Sequence, residues 1–100
     1  MRRSAVQLTR AADRDLDRLP PSERDQISRA LQSLEAEPVG RSPRIKRLRG
    51  FPFPLYRLRS GDYRVLYRID EALVTVMRII NRRDLERTLR QFGFTRPQGP

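Results

Sequence analysis

Cysteine, histidine and tryptophan are all absent from this chain of 100 residues. Without cysteine there is no disulfide framework and no thiol nucleophile, and without cysteine and histidine the usual structural and catalytic zinc sites are excluded. The lack of histidine also removes the side chain that most often serves as a general base near neutral pH. Any catalysis by this protein must therefore use other groups, and we expect no metal and no cofactor.

Long hydrophobic runs are also missing. No apolar segment approaches the roughly 20 residues that a membrane-spanning helix needs, and the N-terminal residues Met1–Ser4 lead into an amphipathic pattern instead of the apolar region of a signal peptide. We therefore expect a cytoplasmic protein. Its size and its hydrophobic content of 37% suit a single domain over residues 1–100, with a flexible tail over residues 92–100.

Acidic residues are scarce in one part of the chain. The sequence has 22 lysines and arginines, of which only Lys46 is a lysine, against 12 acidic residues, for a formal net charge of +10. Both signs are mixed over residues 9–37, whereas Asp62 is the sole acidic residue within 41–68. The planar fork of arginine matches phosphate geometry. This excess predicts a polyanionic partner: RNA, DNA, an anionic membrane or an acidic protein.

Hydrophobic spacing predicts a strand and two helices in the first third of the chain. Apolar residues alternate with polar ones over residues 6–8, as in a short strand. Thr9 suits the N-cap of a first helix. The second helix is expected to begin with a capping box formed by Ser22 and Asp25, and to end before Pro38. Each helix carries one apolar face that requires a packing partner.

Three later segments are rich in β-branched, aromatic and leucine residues, and they predict the strands Leu55–Ser60, Tyr63–Ile69 and Leu73–Ile80. Between the first two strands, Gly61 and Asp62 form a two-residue hairpin turn of the type II′ pattern. These strands supply the sheet on which the helices pack. The predicted fold class is therefore α+β.

The turn sets the register of this hairpin, with Arg59 opposite Arg64. One face is then apolar and directed at the helices (Tyr56, Leu58, Val65, Tyr67 and Ile69). The other face carries Leu55 and Leu66 together with four arginines and no carboxylate (Arg57, Arg59, Arg64 and Arg68). Because directly opposed like charges are destabilising, we interpret this face as a phosphate-binding surface in preference to a merely solvated one.

The loop before the hairpin adds more positive charge. Over residues 43–54 it carries four basic side chains that either remain solvated or contact RNA (Arg44, Lys46, Arg47 and Arg49). Phe51 and Phe53 lie between prolines in the same loop, and we expect them to be hydrophobic plugs. The basic surface thus extends beyond the hairpin.

Three segments in this order resemble the RelE/ParE toxin superfamily: RLRG at 47–50, LYRLRSGDYRVLYRID at 55–70 and VTVMRIINRRDLER at 74–87. The resemblance covers most of the chain. It implies an N-terminal strand and a two-helix hairpin packed on a small, mostly antiparallel sheet. It also implies a bacterial or archaeal toxin that is neutralised by a co-encoded antitoxin, which we expect to be acidic and partly disordered. Phe92 and Phe94 are then expected to close the core or to contact that antitoxin.

The superfamily has two functional branches. RelE-like members bind the ribosomal A site and cut messenger RNA there, through attack of a ribose 2′-hydroxyl on the adjacent phosphate. ParE-like members inhibit DNA gyrase. In the RelE-like pattern Arg64 matches a catalytic arginine and Arg57 matches the place of a catalytic lysine. The arginine that follows the last strand corresponds to Arg82 or, less closely, to Arg83.

The acid–base part of the RelE-like pattern is incomplete. Many members have a histidine near position 81 and a tyrosine near position 86 or in the C-terminal tail, and this chain has neither. Arginine is a poor proton acceptor because its pKa exceeds 12. Glu86 and Lys46 remain as candidates for moving a proton.

These observations predict a ribosome-dependent messenger RNA endoribonuclease with ribosome, messenger and antitoxin as partners. The residues expected to bind RNA or ribosome beyond the catalytic set are Arg44, Lys46, Arg47, Arg49, Arg59 and Arg68. The alternatives are a ParE-like gyrase inhibitor, which needs no catalytic residues, and a degenerate toxin that binds RNA or ribosomes without cleaving.

Overall fold

The computed structural model describes residues 4–40 and 42–93. The elements in chain order are β1 (Ala5–Leu8), α1 (Arg10–Asp17), α2 (Pro21–Ala36), β2 (Ile45–Leu48), β3 (Leu55–Ser60), β4 (Tyr63–Asp70), β5 (Leu73–Asn81), a 3-10 turn (Arg82–Asp84) and α3 (Leu85–Gln91). The strands form one sheet in the order β1-β5-β4-β3-β2. Neighbouring strands are antiparallel except β1, which is parallel to β5. The predicted α+β fold is confirmed.

The two N-terminal helices begin in different ways. Thr9 caps α1 as expected, since its side-chain oxygen accepts a hydrogen bond from the backbone nitrogen of Ala12 at 3.1 Å. The capping box predicted at Ser22 and Asp25 is wrong. The helix α2 instead starts at Pro21, and no side chain caps it. Proline at the first helical position has a preset φ, and it lacks a backbone N–H that would be unpaired there anyway.

The main hydrophobic core lies between the helix hairpin and one face of the sheet. Its helical side is formed by Ala12, Leu19, Ile27, Leu31 and Leu34. Its sheet side is formed by the apolar face of the hairpin and by residues of β5, namely Leu58, Val65, Tyr67, Val74, Val76 and Ile79. The face assignment made from the turn register is confirmed.

A bulge in β5 lets this strand contribute to both faces of the sheet. Leu66 pairs with Arg78 but Tyr67 pairs with Val76, so one residue of β5 has no direct partner. The extra residue reverses the alternation of side chains along the strand. As a result Val76 and Ile79 both face the main core, whereas Ile80 lies in a second cluster on the opposite face.

The second cluster covers part of the face that was expected to be basic. Its buried residues are Leu55, Leu66 and Ile80, and the apolar side chains packed against it are Leu48, Phe51, Phe53, Leu85, Leu89 and Phe92. The prediction that the two phenylalanines of the 43–54 loop are hydrophobic plugs is confirmed. The helix α3, which was not predicted from the sequence, supplies Leu85 and Leu89, and Phe92 follows directly after its last residue at helical spacing.

The segment around Lys46 is a strand and not the expected loop. Ile45 lies opposite Leu58 and Leu48 lies opposite Leu55, so the two apolar residues of β2 pack on opposite faces of the sheet. These two half-buried residues are three positions apart, a spacing that lacks the alternation of a strand and fits one face of a helix instead. Pairing with β3 decides the conformation here.

A carboxylate accepts hydrogen bonds from the part of β5 that extends beyond its pairing with β1. Asp15 of α1 accepts hydrogen bonds from the backbone nitrogen of Ile79 at 2.9 Å and from Arg78 Nε at 2.7 Å. The pKa of Arg78 is raised, chiefly by this hydrogen bond. The contact joins the first helix to the last strand across more than sixty residues of sequence.

The expected tail over residues 92–100 falls mostly outside the described residues, and Phe94 lies outside them altogether. Phe92 follows α3 and packs against the second cluster. Within the described part of the chain, none of the helices is both long and apolar enough to cross a bilayer.

Candidate nucleic-acid interface

The hairpin of β3 and β4 has the register that its turn predicts. Arg59 lies opposite Arg64, and Arg57 lies opposite Leu66. Gly61 has a φ of +58°, the left-handed value that the first central residue of a type II′ turn requires and that glycine adopts without strain. The local sequence therefore brings several arginines onto one face of the sheet.

Four of these arginines form what we call the arginine cluster: Arg57, Arg59, Arg64 and Arg82. Three come from the hairpin, and the fourth lies in the 3-10 turn immediately after β5. Burial lowers the pKa of Arg64. The positive charges of Arg57, Arg59 and Arg82 lie near enough to lower this pKa further. Such a group of like charges is stabilised when an anion binds among them.

Arg64 is the most constrained member of the arginine cluster. Its side chain is half-buried, and one terminal nitrogen donates to the backbone carbonyls of Gly61 at 3.0 Å and of Tyr63 at 2.9 Å. Despite the lowered pKa, a guanidinium remains charged at neutral pH. Arg64 therefore presents a positive charge in a fixed place beside the turn.

Arg82 and Arg83 diverge after the last strand. The backbone nitrogen of Arg82 donates to the backbone carbonyl of Asp62 at 2.7 Å. The Arg82 guanidinium also lies 3.7 Å from the side-chain carboxylate of Asp62, in a highly exposed pair. Arg83 instead donates through Nε to Asn81 at 3.2 Å, and its charge acts on Tyr63. Of the two candidates that the sequence left open, Arg82 is the one in the arginine cluster.

The expectation that the basic face carries no carboxylate is wrong. Asp70 accepts two hydrogen bonds from Arg68, at 2.8 and 3.1 Å. The Arg68 guanidinium also lies 4.6 Å from the ring centre of Phe53. Arg68 therefore has two short hydrogen bonds to a carboxylate, whereas in the arginine cluster, among the residues that the structure describes, only Arg82 has a carboxylate partner, in the longer and more exposed pair with Asp62.

The four basic residues of the 43–54 segment do not act as a group. Lys46 pairs with Arg57 across β2 and β3 and so shares its face, while Arg47 pairs with Tyr56 and belongs to the opposite face. The carbonyl of Arg44 accepts from a side-chain nitrogen of Arg57 at 3.2 Å. Arg49 is exposed beyond the end of β2. Among these residues, Lys46 has the register position closest to the arginine cluster.

Neither acid–base candidate has the environment of a tuned catalytic group. Glu86 is exposed in the first turn of α3, and Lys46 is exposed on β2. Tyr63, although it precedes Arg64, packs on the helix side of the sheet and donates to Glu23. Over residues 4–40 and 42–93, no three acidic side chains gather into a group that could hold a metal ion.

Two structural features near the arginine cluster were not predicted from the sequence. The ties of Gln26 and Glu23 to the hairpin turn depend on where α2 crosses the sheet, and no local pattern signals this. The helix α3, which follows Arg82, had a signal in the spacing of Leu85, Leu89 and Phe92.

Comparison with known families now adds to the geometry. The family model described as the ParE toxin of the type II toxin–antitoxin system, parDE, matches residues 6–86. Comparison with curated protein sequences gives no match.

Solved toxin–antitoxin structures are similar to this chain. The RelBE2 complex from Mycobacterium tuberculosis shares 31% identity and a TM-score of 0.67, covering 79% of this chain and 98% of that one. The archaeal RelE–RelB complex from Pyrococcus horikoshii OT3 shares 28% identity and a TM-score of 0.69, covering 79% and 94%. The chromosomal ParDE system of P. aeruginosa, at 17% identity, a TM-score of 0.55 and coverages of 78% and 95%, is alike in fold.

Proposed function

This chain belongs to the RelE/ParE superfamily of type II toxins, and from that premise we propose that it is a RelE-like endoribonuclease that cleaves messenger RNA in the ribosomal A site. The observation that carries the proposal is the arginine cluster around the half-buried Arg64. A gyrase inhibitor needs a binding surface but has no need of a fixed, partly desolvated guanidinium.

The proposed cleavage reaction requires positive charge close to a phosphate. In the proposed reaction the ribose 2′-hydroxyl attacks the adjacent phosphorus, a cyclic phosphate forms, and the 5′-oxygen of the next nucleotide leaves. Negative charge on the phosphate oxygens is stabilised best by donors that are already in place. Arg64 is held by two carbonyls. Arg59 and Arg82 are exposed beside it, and Arg82 would approach the phosphate from its long, exposed pair with Asp62.

The roles of the other basic residues follow from their positions. Arg57 and Lys46 share one face of neighbouring strands, and we assign them to the backbone of the RNA near the cleaved bond. Arg44, Arg47, Arg49 and Arg68 are assigned to outer contacts with ribosome or RNA. Arg83 is assigned to the support of the turn after β5, because its guanidinium lies against Asn81.

Gyrase inhibition is the second candidate, because the family model that matches the chain is described by the ParE toxin. One pair of assays separates the two. Purified toxin is added to ribosomes programmed with a defined messenger, and in parallel to gyrase with relaxed plasmid. We expect cleavage of the messenger only when ribosomes are present, with supercoiling unaffected.

Intact messenger together with blocked supercoiling would assign the chain to the gyrase branch. Expression without antitoxin should also arrest growth, with translation stopping before DNA synthesis. Normal growth at confirmed expression of folded protein would contradict toxicity itself.

A further inference from the structure

We propose that α2 acts as a positioning element for Arg64, with Glu23 and Gln26 as the positioning residues, acting through the turn between β3 and β4. The inference rests on the proposed function, because it assigns these residues a part in phosphate chemistry. The contacts that support it run from α2, through the turn, to the guanidinium of Arg64.

The first link is between the turn and Arg64. Both acceptors of its side-chain hydrogen bonds are backbone carbonyls, one from Gly61 and one from Tyr63. Backbone carbonyls move only with the chain that carries them. The position of the guanidinium therefore follows the conformation of the turn.

The second link is between α2 and the turn. Gln26 Nε2 donates to Ser60 Oγ at 3.0 Å, and the Tyr63 hydroxyl donates to the Glu23 carboxylate. Ser60 and Tyr63 flank the two turn residues, so one contact anchors each side of the turn. Glu23 and Gln26 are three residues apart and thus lie on the same side of the helix.

The Gln26 side chain also lies close to the turn residue Gly61. A Cβ atom on Gly61 would lie 2.9 Å from Gln26 Nε2, which is nearer than such atoms come without a shift. Glycine is favoured here by its φ of +58°, and a larger residue would also displace the Gln26 amide from its place beside the turn. The Gln26 amide therefore lies directly against the turn.

These polar contacts are additional to the packing of the helix. Buried Ile27, Leu31 and Leu34 hold α2 on the main core, while Glu23 and Gln26 are half-buried. The pKa of Tyr63 is raised by its hydrogen bond to Glu23 and by burial, so the phenol keeps its proton and donates throughout the physiological range. Removal of the ties should loosen the turn while α2 stays packed.

The test removes both hydrogen bonds between α2 and the turn at once, and it observes the environment of the Arg64 guanidinium directly. The double variant Tyr63→Phe with Gln26→Ala keeps the aromatic ring and the apolar contacts of the helix. Asp25→Asn, an exposed residue of the same helix, is the matched control. The conservative variant Glu23→Gln retains an oxygen that accepts from Tyr63, whereas Glu23→Ala does not.

Three quantities are measured: the single-turnover rate of messenger cleavage on programmed ribosomes, the affinity for those ribosomes, and the ¹⁵N–¹H signal of Arg64 Nε in the free protein. The signal is identified by its loss in Arg64→Ala. We expect the double variant to cleave about ten- to a hundredfold more slowly, as misplacement of a catalytic group by about 1 Å would produce. Its affinity should stay within about twofold, since the charges are unchanged.

The Arg64 signal should shift or broaden in the double variant and in Glu23→Ala, and it should remain in place in Glu23→Gln and Asp25→Asn. An unmoved signal in the double variant overturns the proposal, whether or not cleavage falls, because slower cleavage would then reflect general destabilisation. If the wild-type protein cleaves no messenger, the proposed function fails, and the Arg64 signal still decides whether α2 sets the guanidinium.

Discussion

At the scale of single residues, Arg64 combines partial burial, fixed hydrogen bonds and three positive neighbours. Partial burial strengthens its interaction with an anion, because the local dielectric constant is lower than that of water. The neighbours make an empty site less favourable than an occupied one. These are the properties that a phosphate-stabilising group needs.

Arg64→Ala should slow messenger cleavage by about 10²–10³-fold, the usual loss for one charge-stabilising donor. Arg64→Lys should recover only part of the rate, because lysine keeps the charge but lacks the planar fork. The measurement is the single-turnover rate on programmed ribosomes, with ribosome affinity determined in parallel. The folded state should survive, since repulsion from Arg59 opposite is relieved.

The matched control for this substitution is Arg14→Ala, which removes the same charge from an exposed position on α1. Wild-type cleavage by Arg64→Ala would remove Arg64 from the site. A weakened affinity with an unchanged cleavage step would assign it to ribosome binding.

Glu71 is the one non-glycine residue of the described chain with a positive φ, at +55°. It lies in the turn between β4 and β5 and is exposed. The left-handed conformation costs a non-glycine residue about 1–2 kcal/mol, against about 0.5–1 kcal/mol for the extra flexibility of glycine when unfolded. Glu71→Gly should therefore raise stability by about 0.5–1 kcal/mol and the melting temperature by a few degrees.

Glu71→Ala is the control, because it removes the carboxylate but keeps the Cβ atom and its strain. We expect little change in thermal unfolding from this variant. An equal gain in both variants would mean that charge, and not backbone conformation, limits the stability of this turn.

At the scale of elements, the contact between α1 and β5 depends on one carboxylate. Asp15→Ala should lower the free energy of unfolding by about 1–3 kcal/mol, because it leaves the Ile79 N–H without its acceptor and Arg78 without its partner. Asp15→Asn should cost less, since an amide oxygen still accepts from Ile79. Urea-induced unfolding measures both.

Asp17→Ala provides the comparison within the same helix, because Asp17 is exposed and lies at the end of α1. No loss of stability is expected from it. If Asp15→Ala and Asp17→Ala unfold at the same urea concentration, the edge contact of Asp15 adds nothing to the fold.

At the scale of the whole molecule, a net charge of +10 should make association with the antitoxin sensitive to salt. We expect an acidic, partly disordered segment that folds on the basic face and covers Arg57 and Arg64. Exposed charges are screened over about 8 Å at physiological ionic strength. The association rate should therefore fall as salt rises, which stopped-flow mixing measures.

The complementary measurement is protection of the arginines in the complex. Reaction of Arg57 and Arg64 with a guanidinium-specific reagent should be suppressed when antitoxin is bound. An inactive complex in which both side chains react as in the free toxin would contradict blockage of the basic face.

The hairpin was predictable because its determinants are near neighbours. Gly61 and Asp62 fix the turn, the turn fixes the register, and the register places Arg57, Arg59 and Arg64 together. The helix hairpin was predictable for the same reason, from the Thr9 cap and from apolar residues at helical spacing. Resemblance to the superfamily added the functional class, which the pattern of charge alone left open.

Tertiary structure decided the features that depend on contacts between distant residues. Pairing with β3 makes Ile45–Leu48 a strand although its two apolar residues face opposite sides. The route of the chain after β5 separates Arg82 from Arg83. The crossing of α2 brings Glu23 and Gln26 to the turn that holds Arg64. Local sequence sets torsion preferences and periodicity, but only the packed chain determines which of many possible distant partners a polar side chain meets.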